Sequence, residues 1–187
     1  VVAMKQRGVT IRVTNNSWGG LGGGGGIPAA LKNAIDAAGN AGVVNVFSAG
    51  NDGLNIDVTP ADPASLTSAS IVAVAASDEG DARAGFSNYG PGCVELAAPG
   101  TNILSSYNNV YAYASGTSMA APHVAGVAAL LLAHQPLLTV AQVKDALLSG
   151  VDPVGQWSGF VATGGRLNAF LTLNASIGGG LVNVALA

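Results

Sequence analysis

The residues Gly116-Thr117-Ser118-Met119-Ala120, followed by Ala121-Pro122-His123-Val124-Ala125-Gly126, place one hydroxyl at the mouth of an unusually apolar stretch. From Met119 to Ala133 that stretch carries no charged residue and is apolar on every face, which predicts a helix buried at the centre of a domain. Pro122 is expected in its first turn, where a missing N–H costs nothing. Ser118 then sits where unpaired backbone N–H groups and the positive end of the helix dipole favour a developing negative charge. A hydroxyl attacking a carbonyl generates such a charge, so the chemistry on offer is acyl transfer by a serine nucleophile. Thr117 or Ser118 acting as a plain helix cap is the alternative, and helix logic alone does not exclude it.

The run G-T-S-M-A-x-P-H-V-A-G resembles the nucleophile motif of the subtilisin-like serine peptidases, the subtilases. Two earlier segments resemble the family in the same order: Asn15-Asn16-Ser17-Trp18-Gly19-Gly20 and Ser48-Ala49-Gly50-Asn51-Asp52-Gly53. Ala97-Ala98-Pro99-Gly100 and Arg166-Leu167-Asn168-Ala169 extend the likeness to about residue 175. The resemblance implies a serine endopeptidase acting on peptides or proteins, with Ser118 as nucleophile. It implies that the Asn51 side chain and the Ser118 N–H hold the oxyanion. Ser17, Trp18 and Gly19 would be an exposed strand edge that pairs with substrate backbone, and Ser48, Ala49 and Gly50 a wall of the pocket for the side chain before the cut. Small residues there leave room for a large side chain. Asn51-Asp52-Gly53 is equally a turn signal, and Trp18 equally a core aromatic.

One departure limits the claim. Subtilases carry their triad in the order Asp, His, Ser, and the first two belong to segments that precede the S-W-G-G region. The histidines here are His123 and His134. His123 lies roughly a turn and a half beyond Ser118 on the same helix, and His134 about 24 Å along it at about 1.5 Å per residue, so neither is placed to take the hydroxyl's proton. The Asp and His are expected in a segment upstream of this chain. On that expectation residues 1–175 are the C-terminal part of a peptidase domain, inactive alone, and 176–187 a Gly-rich tail. A non-catalytic domain of the same fold, binding peptides or packing on a partner, is the alternative. The G-x-S-x-G elbow of α/β-hydrolases is a weaker one, since no histidine follows the candidate acids Asp145 and Asp152.

Composition narrows the class. The 187 residues suffice for one domain with a real core, and 9% charged residues with 27 glycines fit a small-residue interior better than disorder. A net charge of −3 offers no basic stripe for nucleic acid. Cys93 stands alone and reads as a buried small residue, which excludes an internal disulfide. No leader is visible before Val1, and the strongly apolar part of the helix, Val124 to Ala133, is too short to span a membrane. A secreted or cell-surface origin is expected. The chemistry requires no cofactor. Structural calcium fits the family, but Asp52, Asp57, Asp62, Asp78, Glu79 and Asp81 form no regular ligand loop, so no site is assigned.

Periodicity supplies the frame. Strands are predicted at Val9–Val13, Val43–Phe47, Ile71–Ala76 and Cys93–Ala97, and a helix over Pro28–Ala38 with Leu31, Ala34, Ile35 and Ala38 on one face. A second helix over Val140–Leu148 follows Thr139, with Gln142 at the capping-box offset. Continuous apolar strands alternating with helices predict an α/β fold with a mostly parallel sheet covered on both faces, and the resemblance implies three α/β/α layers, subtilisin-like and truncated at the N-terminal side. Gly20-Leu21-Gly22-Gly23-Gly24-Gly25 satisfies G-x-G-x-x-G between strand and helix. Any glycine spacing is met in so glycine-dense a run, and the acid expected at the next strand's end is absent, so a dinucleotide site is not favoured.

Overall fold

The computed structural model describes residues 1–21 and 29–175. The core of the glycine run, Pro28 and the 176–187 tail lie outside the described residues, and with them most of the G-x-G-x-x-G match. A short helix α1 (Val2–Gln6) leads to β1 (Val13–Asn16), β2 (Gly20–Leu21), α2 (Ala29–Asn40), β3 (Val44–Ser48), β4 (Ala61–Asp62), β5 (Ile71–Ser77) and β6 (Leu96–Pro99). Then come β7 (Ile103–Tyr107), β8 (Val110–Ala114), α3 (Thr117–His134), α4 (Val140–Ser149), β9 (Val151–Pro153), β10 (Gly165–Leu167) and α5 (Ala169–Leu173).

Six strands form one sheet in the order β1-β3-β5-β6-β10-β9, parallel throughout except for β9 against β10. Strands β3 and β5 are buried along their whole length, as a sheet covered on both faces requires. Alternate residues serve opposite cores: Val44, Val46, Val72, Val74 and Leu96 pack with α3 and α4. Phe47, Ile71, Ala73, Ala75 and Ala97 pack with Ile35 of α2 and Trp157. The three-layer α/β/α arrangement is therefore the one the periodicity predicts. Small residues on both sides, Ala76 and Ala98 on the sheet against Ala120, Ala121, Ala125 and Ala128 on α3, bring that helix close to the strands.

Several local expectations shift. The first strand runs over Val13–Asn16 and not Val9–Val13, in parallel register with Val44–Phe47. Its polar residues are held by bonds that β-propensity does not register: Thr14 Oγ1 donates to Asn45 Oδ1 at 2.8 Å and Asn16 Nδ2 to the Val46 carbonyl at 3.2 Å. Likewise Cys93–Glu95 precede β6, and Cys93 is half-buried, its thiol pushed up to about 11 by burial. Ala34 of α2 is exposed, while Ile35 and Ala38 are buried. The hairpin β7–β8 was not foreseen; Asn108 (φ 45°) and Asn109 (φ 65°) form its turn in the left-handed region that Asn tolerates. The capping box on α4 is present, with Gln142 N–H donating to Thr139 Oγ1 at 3.3 Å and Thr139 N–H to Gln142 Oε1 at 2.9 Å.

Two corrections fall on α3. It begins at Thr117, so Pro122 lies inside the helix and not in its first turn. Nor is it buried all round: Ala120, Ala121, Val124, Ala128 and Leu131 pack on the sheet, while Pro122, His123, Gly126, Leu130 and Ala133 face outward. By length and composition alone its 18 residues meet the requirement for a membrane span, longer than the Val124–Ala133 run suggests. Half of it is buried against the domain, as in a core helix.

Candidate active site

The parallel strands and the start of α3 converge on one cavity of ≈ 270 Å³. Ser118, Asn51, Ser17, Trp18, Gly19, Ser48, Ala49 and Gly50 all line it, so the eight expected site residues come together. β3 ends at Ser48 and delivers Ala49, Gly50 and Asn51, while β1 is an edge strand whose exit delivers Ser17, Trp18 and Gly19. Trp18 is 49% exposed and sets its ring edge-on against buried Phe47, with centroids 5.5 Å apart. It is thus a wall of the cavity resting on the core, not a core aromatic.

Asn51 is tied to the first residue of α3. Its Oδ1 accepts the Thr117 N–H at 2.8 Å and the Thr117 Oγ1–H at 2.9 Å, and Thr117 Oγ1 accepts the Gly50 N–H at 3.1 Å. Asn51 therefore caps α3 from another part of the chain, the task that the alternative reading gave to Thr117 or Ser118; Gly116 at the N-cap has no side chain for it. With Oδ1 fully engaged, the amide's free end is Nδ2, a pure donor. Gly50 adopts φ +102°, and a Cβ there would meet Asn88 Nδ2 at 2.3 Å, so only glycine brings the chain into this turn.

Thr117 and Asn88 were not picked out by the sequence reading as members of this site. Buried Asn88 accepts the Asp52 and Leu54 N–H groups, each at 3.0 Å, and donates to the Ala49 carbonyl at 3.0 Å, which fixes the Asn51 turn from below. Ala61 and Asp62 complete the cavity through the two-residue pairing of β4 with β2. Two carboxylates, Asp52 and Asp62, line it, and no cationic side chain does among the described residues. Burial holds the Asp62 carboxyl above its ordinary range.

Ser118 Oγ donates to the Ser17 carbonyl at 3.4 Å, a long bond, and Ser17 Oγ donates to the Ser118 carbonyl at 2.8 Å. His123 turns back along its own helix, Nδ1–H to the Met119 carbonyl at 2.8 Å. His134 sits at the far end of α3. No hydrogen bond joins an imidazole to Ser118 among the described residues. A second cavity of ≈ 350 Å³ flanks Ser118 on its other side, lined by Leu104, Met119, Pro122 and His123. No group of three or more His, Cys, Asp or Glu side chains comes together among the described residues to hold a metal ion. The strand before Ser118, β8, belongs to a separate antiparallel hairpin and not to the parallel sheet, so Ser118 does not sit on an α/β-hydrolase elbow.

Residues 3–169 match the Subtilase family, Peptidase S8. The sequence is 42% identical over 145 residues to Subtilisin DY of Bacillus licheniformis, covering 76% of this chain and 50% of that protein. It is 40% identical over 169 residues to an extracellular protease of Xanthomonas campestris, covering 85% of this chain and 28% of that one. The solved structure of the prenylagaramide maturation protease PagA is similar at a TM-score of 0.77 and 31% identity, over 91% of this chain and 63% of that one. The chain spans half or less of the length of these two sequence relatives. With a family match over most of its length and relatives of 40% identity or more over more than two thirds of it, this chain belongs to the Subtilase family.

Proposed function

We propose that this chain supplies the nucleophile and the oxyanion site of a subtilisin-type serine endopeptidase. The observation that carries the reading is the pairing of Ser118 at the start of α3 with Asn51, whose Oδ1 is pinned by Thr117 while both residues line one cavity. Ser118 Oγ attacks the scissile carbonyl as its proton passes to a histidine. The tetrahedral oxyanion is held by the Ser118 N–H and Asn51 Nδ2. Collapse expels the amine, which takes the proton, and leaves an acyl group on Oγ that water then hydrolyses. The cavity receives the side chain before the cut, and its two carboxylates favour a cationic one.

The histidine and its aspartate come from a segment preceding these residues. The second cavity beside Ser118, the outward face of α3 and the open edge of β1 are the surfaces such a segment would cover. Relatives named extracellular proteases support an extracellular setting. The same want of an imidazole at Ser118 favours a second reading, a peptide-binding domain without turnover.

Fluorophosphonate labelling separates the two. The chain alone is expected to label no faster than its Ser118→Ala variant, whereas the full gene product labels rapidly and only at Ser118. Peptide binding by the full gene product without labelling or turnover establishes the binding domain instead.

A further inference from the structure

An α-helical carbonyl is satisfied by the N–H four residues on, and for Ser118 that residue is Pro122, which has none. The one carbonyl of α3 that proline leaves without its helical partner is therefore that of the expected nucleophile. It is not left bare: Ser17 Oγ–H donates to it at 2.8 Å, from a residue 101 positions away in sequence. Asn15 Nδ2 in turn donates to Ser17 Oγ at 3.0 Å, and the hydroxyl proton has the Ser118 carbonyl at 2.8 Å against Asn15 Oδ1 at 3.5 Å, so the shorter bond to Ser118 is favoured. In the reverse direction Ser118 Oγ reaches the Ser17 carbonyl.

We propose that the Ser17 hydroxyl is a positioning residue for Ser118: it replaces the helix hydrogen bond that Pro122 removes and so fixes the peptide from which the nucleophile projects. The proposal rests on the reading of Ser118 as nucleophile. It gives Ser17 a task apart from the substrate pairing expected of its backbone, because the side chain points to the α3 carbonyl. Without this bond the Ser118 carbonyl must tilt toward another donor. The Oγ and the N–H on the same residue move with it, and displacements of this kind are costly to an aligned attack.

The proline makes the idea testable by substitution, since Pro122→Ala returns an N–H four residues beyond Ser118. In the full gene product, Ser17→Ala is expected to lower kcat and the fluorophosphonate labelling rate about fivefold, the equivalent of one net hydrogen bond, with KM unchanged within about twofold. Ser17→Thr, which keeps the hydroxyl, restores most of the loss. In the Pro122→Ala background the Ser17→Ala effect shrinks below about twofold, because the helix now satisfies the carbonyl itself. The unfolding equilibrium constants of the parent, Ser17→Ala, Pro122→Ala and the double variant are expected to show the same coupling, a readout that needs no turnover.

Equal Ser17→Ala effects on kcat in both backgrounds overturn the proposal, as does a loss confined to KM. If the parent protein neither turns over nor labels, the peptidase reading falls and the positioning role with it. Coupling in the unfolding constant would then identify a purely structural bond. Coupling in stability with turnover intact but unaffected by Ser17→Ala also overturns the proposal while sparing the peptidase reading.

Discussion

Thr117→Val isolates the link between Asn51 and α3. Thr117 is fully buried, and valine matches its shape without the hydroxyl. Two hydrogen bonds disappear, Oγ1–H to Asn51 Oδ1 and Gly50 N–H to Oγ1, while Thr117 N–H to Asn51 Oδ1 remains. A net hydrogen bond contributes about 1 kcal/mol, and the stranded Gly50 N–H adds a penalty of about 1–3 kcal/mol, so unfolding free energy should fall by about 2–4 kcal/mol. The consequence for the rate is separate. The Asn51 amide loses one of its two restraints, about 1 kcal/mol, which is about fivefold in the population that keeps Nδ2 on station. kcat should fall by about that factor with KM nearly unchanged, because the amide acts on charge present only in the transition state. Steady-state kinetics of the full gene product give the change in kcat and urea unfolding the change in stability. In an Asn51→Ala background there is no amide left to loosen, so Thr117→Val should then leave kcat alone while still lowering stability. An equal fall in kcat in both backgrounds would refute the claim that Thr117 acts through Asn51.

Asn51→Ala itself should depress kcat far more than it raises KM; the size, about 10²–10³-fold, is carried over from loss of the corresponding donor in a subtilisin and is not worked from this geometry. Comparable modest changes in both constants would reduce Asn51 to a turn residue. Asp62→Asn should lower the ratio of kcat/KM for a peptide with Lys before the cut to one with Glu there, since it removes one of the cavity's two carboxylates; an unchanged ratio places the substrate side chain elsewhere. Asp152 is held below the usual carboxylate range by hydrogen bonds from Asn168 and Arg166, so its contribution to stability is present above the unfolded value of about 3.9 and is lost as pH falls below that value and through the lower folded one. Asp152→Asn should therefore be less stable than the parent at pH about 6, with the gap closing toward pH about 3, and a gap independent of pH would contradict the assignment.

What the sequence made legible is what short runs of residues specify by themselves. Ser118 with its flanking small residues stood out by its own chemistry, whereas Asn51 and Ser17-Trp18-Gly19 entered through the resemblance of their segments to the subtilases, and all of them line one cavity. The alternating cores on β3 and β5 were readable because a strand repeats every two residues. The supports were not. Asn88 meets Asp52 across 36 positions with nothing near it to mark it, and Thr117, although beside Ser118 in the motif, meets Asn51 across 66 positions, which no local pattern displays. The floor of the cavity depends on a two-residue ladder between β2 and β4, too short for any periodicity to register. Pro122 shows the difference most plainly. Read locally, it belongs in the first turn, where its missing N–H has no consequence. Asn51 caps α3 ahead of Ser118, so the helix begins at Thr117, Pro122 falls inside it, and the missing N–H becomes an unmet carbonyl on Ser118. The hydroxyl that answers it is on Ser17. The three motif segments around Ser17, Asn51 and Ser118 are thus coupled through backbone groups that no single segment displays, and the coupling, more than the list of residues, is what the fold adds.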